Sequence, residues 1–249
     1  MNILGIDTST KKTNVCIKKD DVVTSKNIDN EITHSEKLLP LIDESLKEAS
    51  LKLSDMNLLA CCIGPGSFTG IRIGIATVKA FAKVLNRNIF SASSLDIIAY
   101  TNISSTPSDY VLSIMDAKNS RIYYCLYKTK KIDDIYVLEP LIDYSNDVMD
   151  AALEKISDAL LNENLTSTTS LEVIGDCANM YKDLFVSKLD SICSDIVISN
   201  ETISADTLIT MAENYIKANY SNNMMKDYLT LDALYVRPSQ AERAKNNEL

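Results

Sequence analysis

Between residues 58 and 85 the chain passes from an unbroken apolar run, through a glycine-rich turn, into a helical stretch with few polar residues. The run 58–63 is short and wholly apolar, which predicts a buried strand. Gly64, Pro65 and Gly66 supply a turn with unusual backbone angles. Ser67 or Thr69 can then cap a helix reaching Leu85, in which the polar residues are Arg72, Thr77, Lys79 and Lys83. A helix apolar on nearly every side has no solvated face, so its own sheet should cover one side and something else the other. Gly70, Gly74 and Thr77 fall along one side, with Ala80 close by. A glycine inside a helix costs about 1 kcal/mol against alanine, so two of them four apart mark a close backbone approach. Two arrangements satisfy that spacing: a tight helix–sheet contact within one domain, or a seam with a helix of a partner chain. The sequence favours the seam.

Composition narrows the classes. At 249 residues the chain is one large domain or two of ordinary size, and 46% hydrophobic content is enough for real cores. A net charge of −9 disfavours a free-standing RNA binder, since phosphate binding wants clustered Lys and Arg. No apolar run approaches the roughly 20 residues of a membrane span. Met1 leads at once into a strand, so no signal peptide is expected. Cysteines 16, 61, 62, 125, 177 and 193 form no C-x-x-C pair and lie mostly in apolar runs, where they act as small core residues. A reduced cytoplasm is the expected location.

Along the chain, residues 3–7, 13–18 and 22–27 read as three strands. A helix over 33–49 follows, with a Thr33/Glu36 capping box and a distortion expected at Pro40. After the central strand and helix come a strand near Ile89 and a helix from about Ser94. Residues 104–109, Ser-Ser-Thr-Pro-Ser-Asp, look like a boundary, which divides the chain into 1–105 and 106–249. The pattern then restarts with strands at 111–116, 121–128 and about 135–141. Helices near 146–162 and 177–189 follow, with strands near 171–174 and 195–198 and a helix from Ser204 to about 219. In both halves a cysteine sits nine residues beyond a strand-end aspartate (Asp7 to Cys16, Asp116 to Cys125), which hints at a duplicated α/β fold. The charged tail from Arg237 onward stays with the second half.

The stretch Gly64-Pro65-Gly66-Ser67-Phe68-Thr69-Gly70-Ile71-Arg72-Ile73-Gly74 resembles the signature of the TsaB (YeaZ) family. So do Leu4-Gly5-Ile6-Asp7-Thr8-Ser9, His34-Ser35-Glu36-Lys37-Leu38-Leu39-Pro40 and Leu234-Tyr235-Val236-Arg237. The resemblance implies the two-lobed actin-like ATPase fold of sugar kinases and heat-shock chaperones. It also implies a noncatalytic subunit that activates a TsaD-like catalytic subunit, with a TsaE-like ATPase, to form N6-threonylcarbamoyladenosine next to the tRNA anticodon. ATP and Mg would then be used by the assembled complex, with no cofactor on the isolated chain and tRNA met through the complex. The family pairs its first two helices, here 33–49 and 69–85, with those of TsaD. Carried over by position, the partner-binding residues are His34, Leu38, Leu41, Ile42, Gly70, Arg72, Gly74, Thr77, Val78 and Phe81. The same face could also pair two copies of this chain.

Actin-like ATPases hold nucleotide between two hairpin loops whose backbone amides surround the phosphates. Asp7-Thr8-Ser9-Thr10 offers an acid and three hydroxyls, and reads equally as an ordinary turn. Asp116-Ala117-Lys118-Asn119-Ser120 has no glycine, so a close cradle there would be strained, and Gly175 stands alone where a glycine pair is usual. Asp7, Thr8, Ser9, Asp116 and Gly175 are therefore candidates only for a vestigial nucleotide site, and independent ATP hydrolysis is not expected. The alternative function is an actin-like kinase or ATPase acting alone. TsaD carries two metal-binding histidines four apart, whereas His34 is this chain's single histidine, so no metal centre or catalytic residue is assigned.

Overall fold

The computed structural model describes residues 1–29, 34–103, 107–220 and 223–237. In chain order the elements are β1 (Ile3–Asp7), β2 (Lys12–Lys19), β3 (Val22–Asp29), α1 (His34–Glu48), β4 (Leu58–Cys62), α2 (Phe68–Leu85) and β5 (Ile89–Ala92). Then come α3 (Ser94–Tyr100), β6 (Tyr110–Asp116), β7 (Arg121–Ile132), β8 (Ile135–Val148), α4 (Met149–Leu161), β9 (Ser170–Gly175), α5 (Lys182–Leu189), β10 (Asp195–Ser199), α6 (Ala205–Lys217) and β11 (Met225–Lys226).

These elements form two sheets with one wiring plan. The first runs β11-β5-β4-β1-β2-β3 and the second β10-β9-β6-β7-β8. In each, three consecutive strands form an antiparallel meander, and two later strands add in parallel beside the first. β1 and β4 are buried at every position, as parallel strands covered on both faces should be. β3, on the edge, alternates exposed and half-buried residues. The repeat is the duplicated plan of the actin-like ATPase fold.

Leu4, Ile6, Val15 and Ile17 of the first sheet pack with Leu38, Leu41 and Ile42 of α1 and Ile71, Ile75 and Val78 of α2. Leu112, Ile114, Tyr124 and Leu126 make the second core with Leu153 and Ile156 of α4 and Phe185 of α5. Ser67 is the N-cap of α2 and accepts from Gly70 N, while Asn86 closes the helix in the left-handed conformation. α1 is continuous through Pro40; Glu36, whose carbonyl loses its donor there, is exposed to water. Thr33, half of the expected capping box, lies outside the described residues, as does the side chain of His34.

Two differences from the sequence reading have clear causes. β8 continues to Val148 past Pro140, which is tolerated because β8 is the sheet's edge. The compact units are Met1–Ser94 with Asn223–Leu249, and Leu95–Asn222, rather than halves meeting at residue 105. The chain returns to the first unit because β11 pairs antiparallel with β5, Leu231 is fully buried in its core, and Leu234 N donates to Ile63 O at 2.8 Å. Among the described residues no helix is long and apolar enough to cross a membrane.

Candidate functional site

The loop after β1 is closed by its own bonds. Asp7 is fully buried, and its Oδ1 accepts from Ser9 N at 2.8 Å and Ser9 Oγ at 2.6 Å. Its Oδ2 accepts from Asn14 Nδ2 at 2.9 Å. Thr8 Oγ1 donates to Gly70 O at 2.7 Å, and Ser67 N donates to Ser9 O at 2.6 Å. Ser94 Oγ donates to Pro65 O at 2.7 Å and lies 3.3 Å from Ser9 Oγ. The start of α2 is thus laced onto the β1–β2 hairpin, and the candidate nucleotide residues Asp7, Thr8 and Ser9 are engaged in holding it there. Burial pushes the neighbouring Cys61 and Cys62 thiols up, away from the thiolate form that nucleophilic attack needs.

The second loop lacks glycine and turns through three successive left-handed residues, Lys118, Asn119 and Ser120, at φ of 63°, 56° and 57°. Such angles cost an L-residue about 1–2 kcal/mol each. Asp116 is exposed, accepts from Lys118 N at 2.8 Å and pairs with Lys118 Nζ; the hydrogen bond from Lys118 holds its carboxyl below the ordinary range. Gly175 lies opposite Ile114 on the neighbouring strand, and a Cβ there would overlap the Ile114 carbonyl. Close strand packing accounts for that glycine. Among the described residues no group of three or more His, Cys, Asp or Glu side chains is placed to hold a metal ion.

The helix pair corrects the list of partner-binding residues. Leu38, Leu41, Ile42 and Val78 are buried in the first core, at most 3% exposed. Gly70 and Gly74 face the same way: a Cβ on Gly70 would overlap the Thr8 carbonyl oxygen, and one on Gly74 the Thr8 hydroxyl. The close approach marked by these glycines is satisfied inside the chain, by helix on hairpin. Thr77, bonded to Ile73 O at 2.9 Å, and Phe81, packed on the core, are half-buried. Arg72 alone of the nine described candidates is exposed.

What α2 presents outward is a different set. Ala76, Ala80 and Val84 are exposed, Val84 to 83%, with half-buried Ile73 at the same helical spacing. Leu39 on α1 adds a further exposed apolar side chain. The signal for these residues was present in the sequence as alanine, alanine and valine four apart, where a helix lying on a sheet normally carries polar groups.

At the first turn of α2, Arg72 is fixed from two sides. Its guanidinium carbon lies 3.9 Å from the centroid of the Phe68 ring, and Nε donates to Tyr235 OH at 2.8 Å. The Phe68 and Tyr235 rings stand 4.9 Å apart. Further along, Lys83 Nζ sits 5.8 Å from the centroid of Tyr228. The returning C-terminal segment therefore runs beside the basic edge of α2.

With this geometry in place, comparison with known proteins identifies the family. Residues 28–239 match the family described as "TsaD: tRNA N6-adenosine threonylcarbamoyltransferase". A relative from Buchnera aphidicola subsp. Schizaphis graminum, named "tRNA threonylcarbamoyladenosine biosynthesis protein TsaB", is 34% identical over half of this chain and 60% of its own length. The protein of the same name from Escherichia coli K12 is 31% identical over 51% of this chain and 55% of its own. The chain thus spans little more than half the length of these curated relatives. A solved structure from Pseudomonas aeruginosa, described as an uncharacterized protein with similarity to peptidase YEAZ, superposes with a TM-score of 0.71 at 20% identity, over 95% of this chain and 99% of that one. The chain belongs to the family described as "TsaD: tRNA N6-adenosine threonylcarbamoyltransferase", and the curated relatives it resembles are named TsaB.

Proposed function

We propose that this protein is a noncatalytic subunit in threonylcarbamoyladenosine biosynthesis on tRNA, which binds and activates a TsaD-type threonylcarbamoyltransferase through α1 and α2. The observation that carries the reading is the exposed stripe of Ile73, Ala76, Ala80 and Val84 on a helix already packed on its own sheet. Small side chains let a second helix approach closely, and burying Val84 and its neighbours is worth about 25 cal/mol per Å² of apolar surface. The names of the curated relatives supply the pathway. ATP and Mg²⁺ act in the assembled complex with a TsaE-type ATPase, and tRNA is met there. The closed loop around Asp7 supports a chain that turns over no nucleotide alone.

The test is reconstitution of the wild type and Ala80→Trp with the TsaD-type protein from the same genome. An indole on the stripe should hold the partner helix away at about 1–3 kcal/mol, roughly five- to 150-fold in affinity. Formation of threonylcarbamoyladenosine should fall with it while the melt of the isolated variant stays unchanged. Full assembly and modification by Ala80→Trp would refute this face.

A further inference from the structure

We infer that the basic edge of α2, made by Arg72, Lys79 and Lys83, selects the partner by charge: the helix covering the alanine stripe presents carboxylates to this row. The inference rests on the reading of α2 as the partner-binding face and adds the chemistry of what sits there. At about 100° per residue the three cations fall within about 40° of one another around the helix, directly beside Ala76 and Ala80. They repeat at seven and four residues, the spacing at which one helix meets another along its length.

The charge pattern is one-sided. From Thr69 to Leu85 there is no acidic residue, in a chain whose net charge is −9. None of the three cations pairs with a carboxylate among the described residues. Several surface lysines elsewhere pair, among them Lys26 with Glu44 and Glu48, Lys47 with Asp43, and Lys130 with Glu139. A row of unneutralised cations beside an apolar stripe is complementary to an acidic helix, and like charges facing it would be rejected.

The C-terminal segment positions the row. Phe68 under the guanidinium and Tyr235 on Nε fix Arg72, and its two terminal NH₂ groups make no further bond among the described residues. That is the donor fork a carboxylate accepts with two parallel bonds. Tyr228 lies beneath Lys83 in the same way. A phosphate backbone would also accept such a fork, but it would leave the alanine stripe uncovered, and the overall negative charge repels it.

The experiment measures affinity for the TsaD-type protein at low and high salt, using wild type, Arg72→Gln/Lys79→Gln/Lys83→Gln and Arg72→Glu/Lys79→Glu/Lys83→Glu. The wild type should weaken as salt rises. The neutral variant should bind about tenfold more weakly at low salt and lose its salt dependence. The reversed variant should bind more weakly still and tighten as salt is added. Tyr235→Phe, which keeps the ring and frees Nε, should fall between wild type and the neutral variant. Unchanged salt dependence in the neutral variant would overturn the charge row while leaving the face intact, provided Ala80→Trp still weakens binding. If the wild type forms no complex, the face and the row fall together. A salt-sensitive shift of tRNA by the isolated chain, lost in the same variants, would assign the row to RNA and overturn the inference.

Discussion

Gly74→Ala in the wild-type and Thr8→Ala backgrounds tests which way the glycines of α2 face. In the wild type the new methyl lands on the Thr8 hydroxyl, which is buried and bonded to Gly70 O at 2.7 Å. Displacing that hydroxyl strands a buried donor and acceptor, at about 1–3 kcal/mol. The helix gains about 1 kcal/mol from replacing glycine. Residual overpacking adds about 1–3 kcal/mol, so the net loss is about 1–5 kcal/mol. At about 2–4 °C per kcal/mol, the melting temperature drops by roughly 2–20 °C. With Thr8→Ala the hydroxyl is gone, and the nearest remaining atoms are Thr8 Cβ at 3.7 Å and Ile6 Cγ2 at 3.9 Å, both ordinary contacts. Gly74→Ala should then be neutral or stabilising by up to about 1 kcal/mol, a coupling of about 1–6 kcal/mol in the double-mutant cycle. Gly70→Ala is the control: its methyl meets the Thr8 backbone carbonyl, which Thr8→Ala leaves in place. Urea titrations of the four proteins and the control give the cycle. If Gly74→Ala is as stable as wild type with Thr8 intact yet no longer binds the TsaD-type protein, the glycines face the partner and the reasoning fails.

All six cysteines are buried, so native protein should resist alkylation and take up six labels only in guanidinium; rapid native labelling would contradict the packing of both cores. Lys128 Nζ bonds Glu163 Oε2 at 2.6 Å and holds the Glu163 carboxyl below the ordinary range. The folded value therefore lies under the unfolded one, and this stabilisation is present above the unfolded value and lost as pH falls through the folded one. Glu163→Gln should flatten that acid limb in melts recorded against pH, and an unchanged limb would refute the assignment. Asp7→Ala should destabilise by about 1–3 kcal/mol, because Ser9 and Asn14 lose a buried acceptor. Steady-state ATP turnover by the isolated wild type, abolished by Asp7→Ala with the melt intact, would instead make the loop a working phosphate site.

Hydrophobic periodicity was enough to read most of the fold. Strands β1 and β4 are short, largely apolar runs, and Ser67 and Ser204 cap helices at positions visible in the sequence. The restart at 111–116 exposed the duplication, because each half must supply its own central strand and meander. These are local features, decided within a few residues by side-chain size, polarity and backbone freedom.

The tertiary structure decided which side of α2 meets the sheet. With apolar residues around most of its circumference, the spacing of Gly70 and Gly74 favoured their side as the outer face. Sterics decided otherwise: the Thr8 backbone and hydroxyl come so close that only glycine fits beneath them, which turns the alanines outward. The tail was equally hidden. Tyr235 reaches Arg72 across 163 positions, and Leu231 fills a core begun at residue 4. Leu231 and Tyr235 follow the two-residue strand β11 and lie in no element long enough for periodicity to mark them. Their place is set by a cavity and a guanidinium that exist only once the rest of the first unit has assembled.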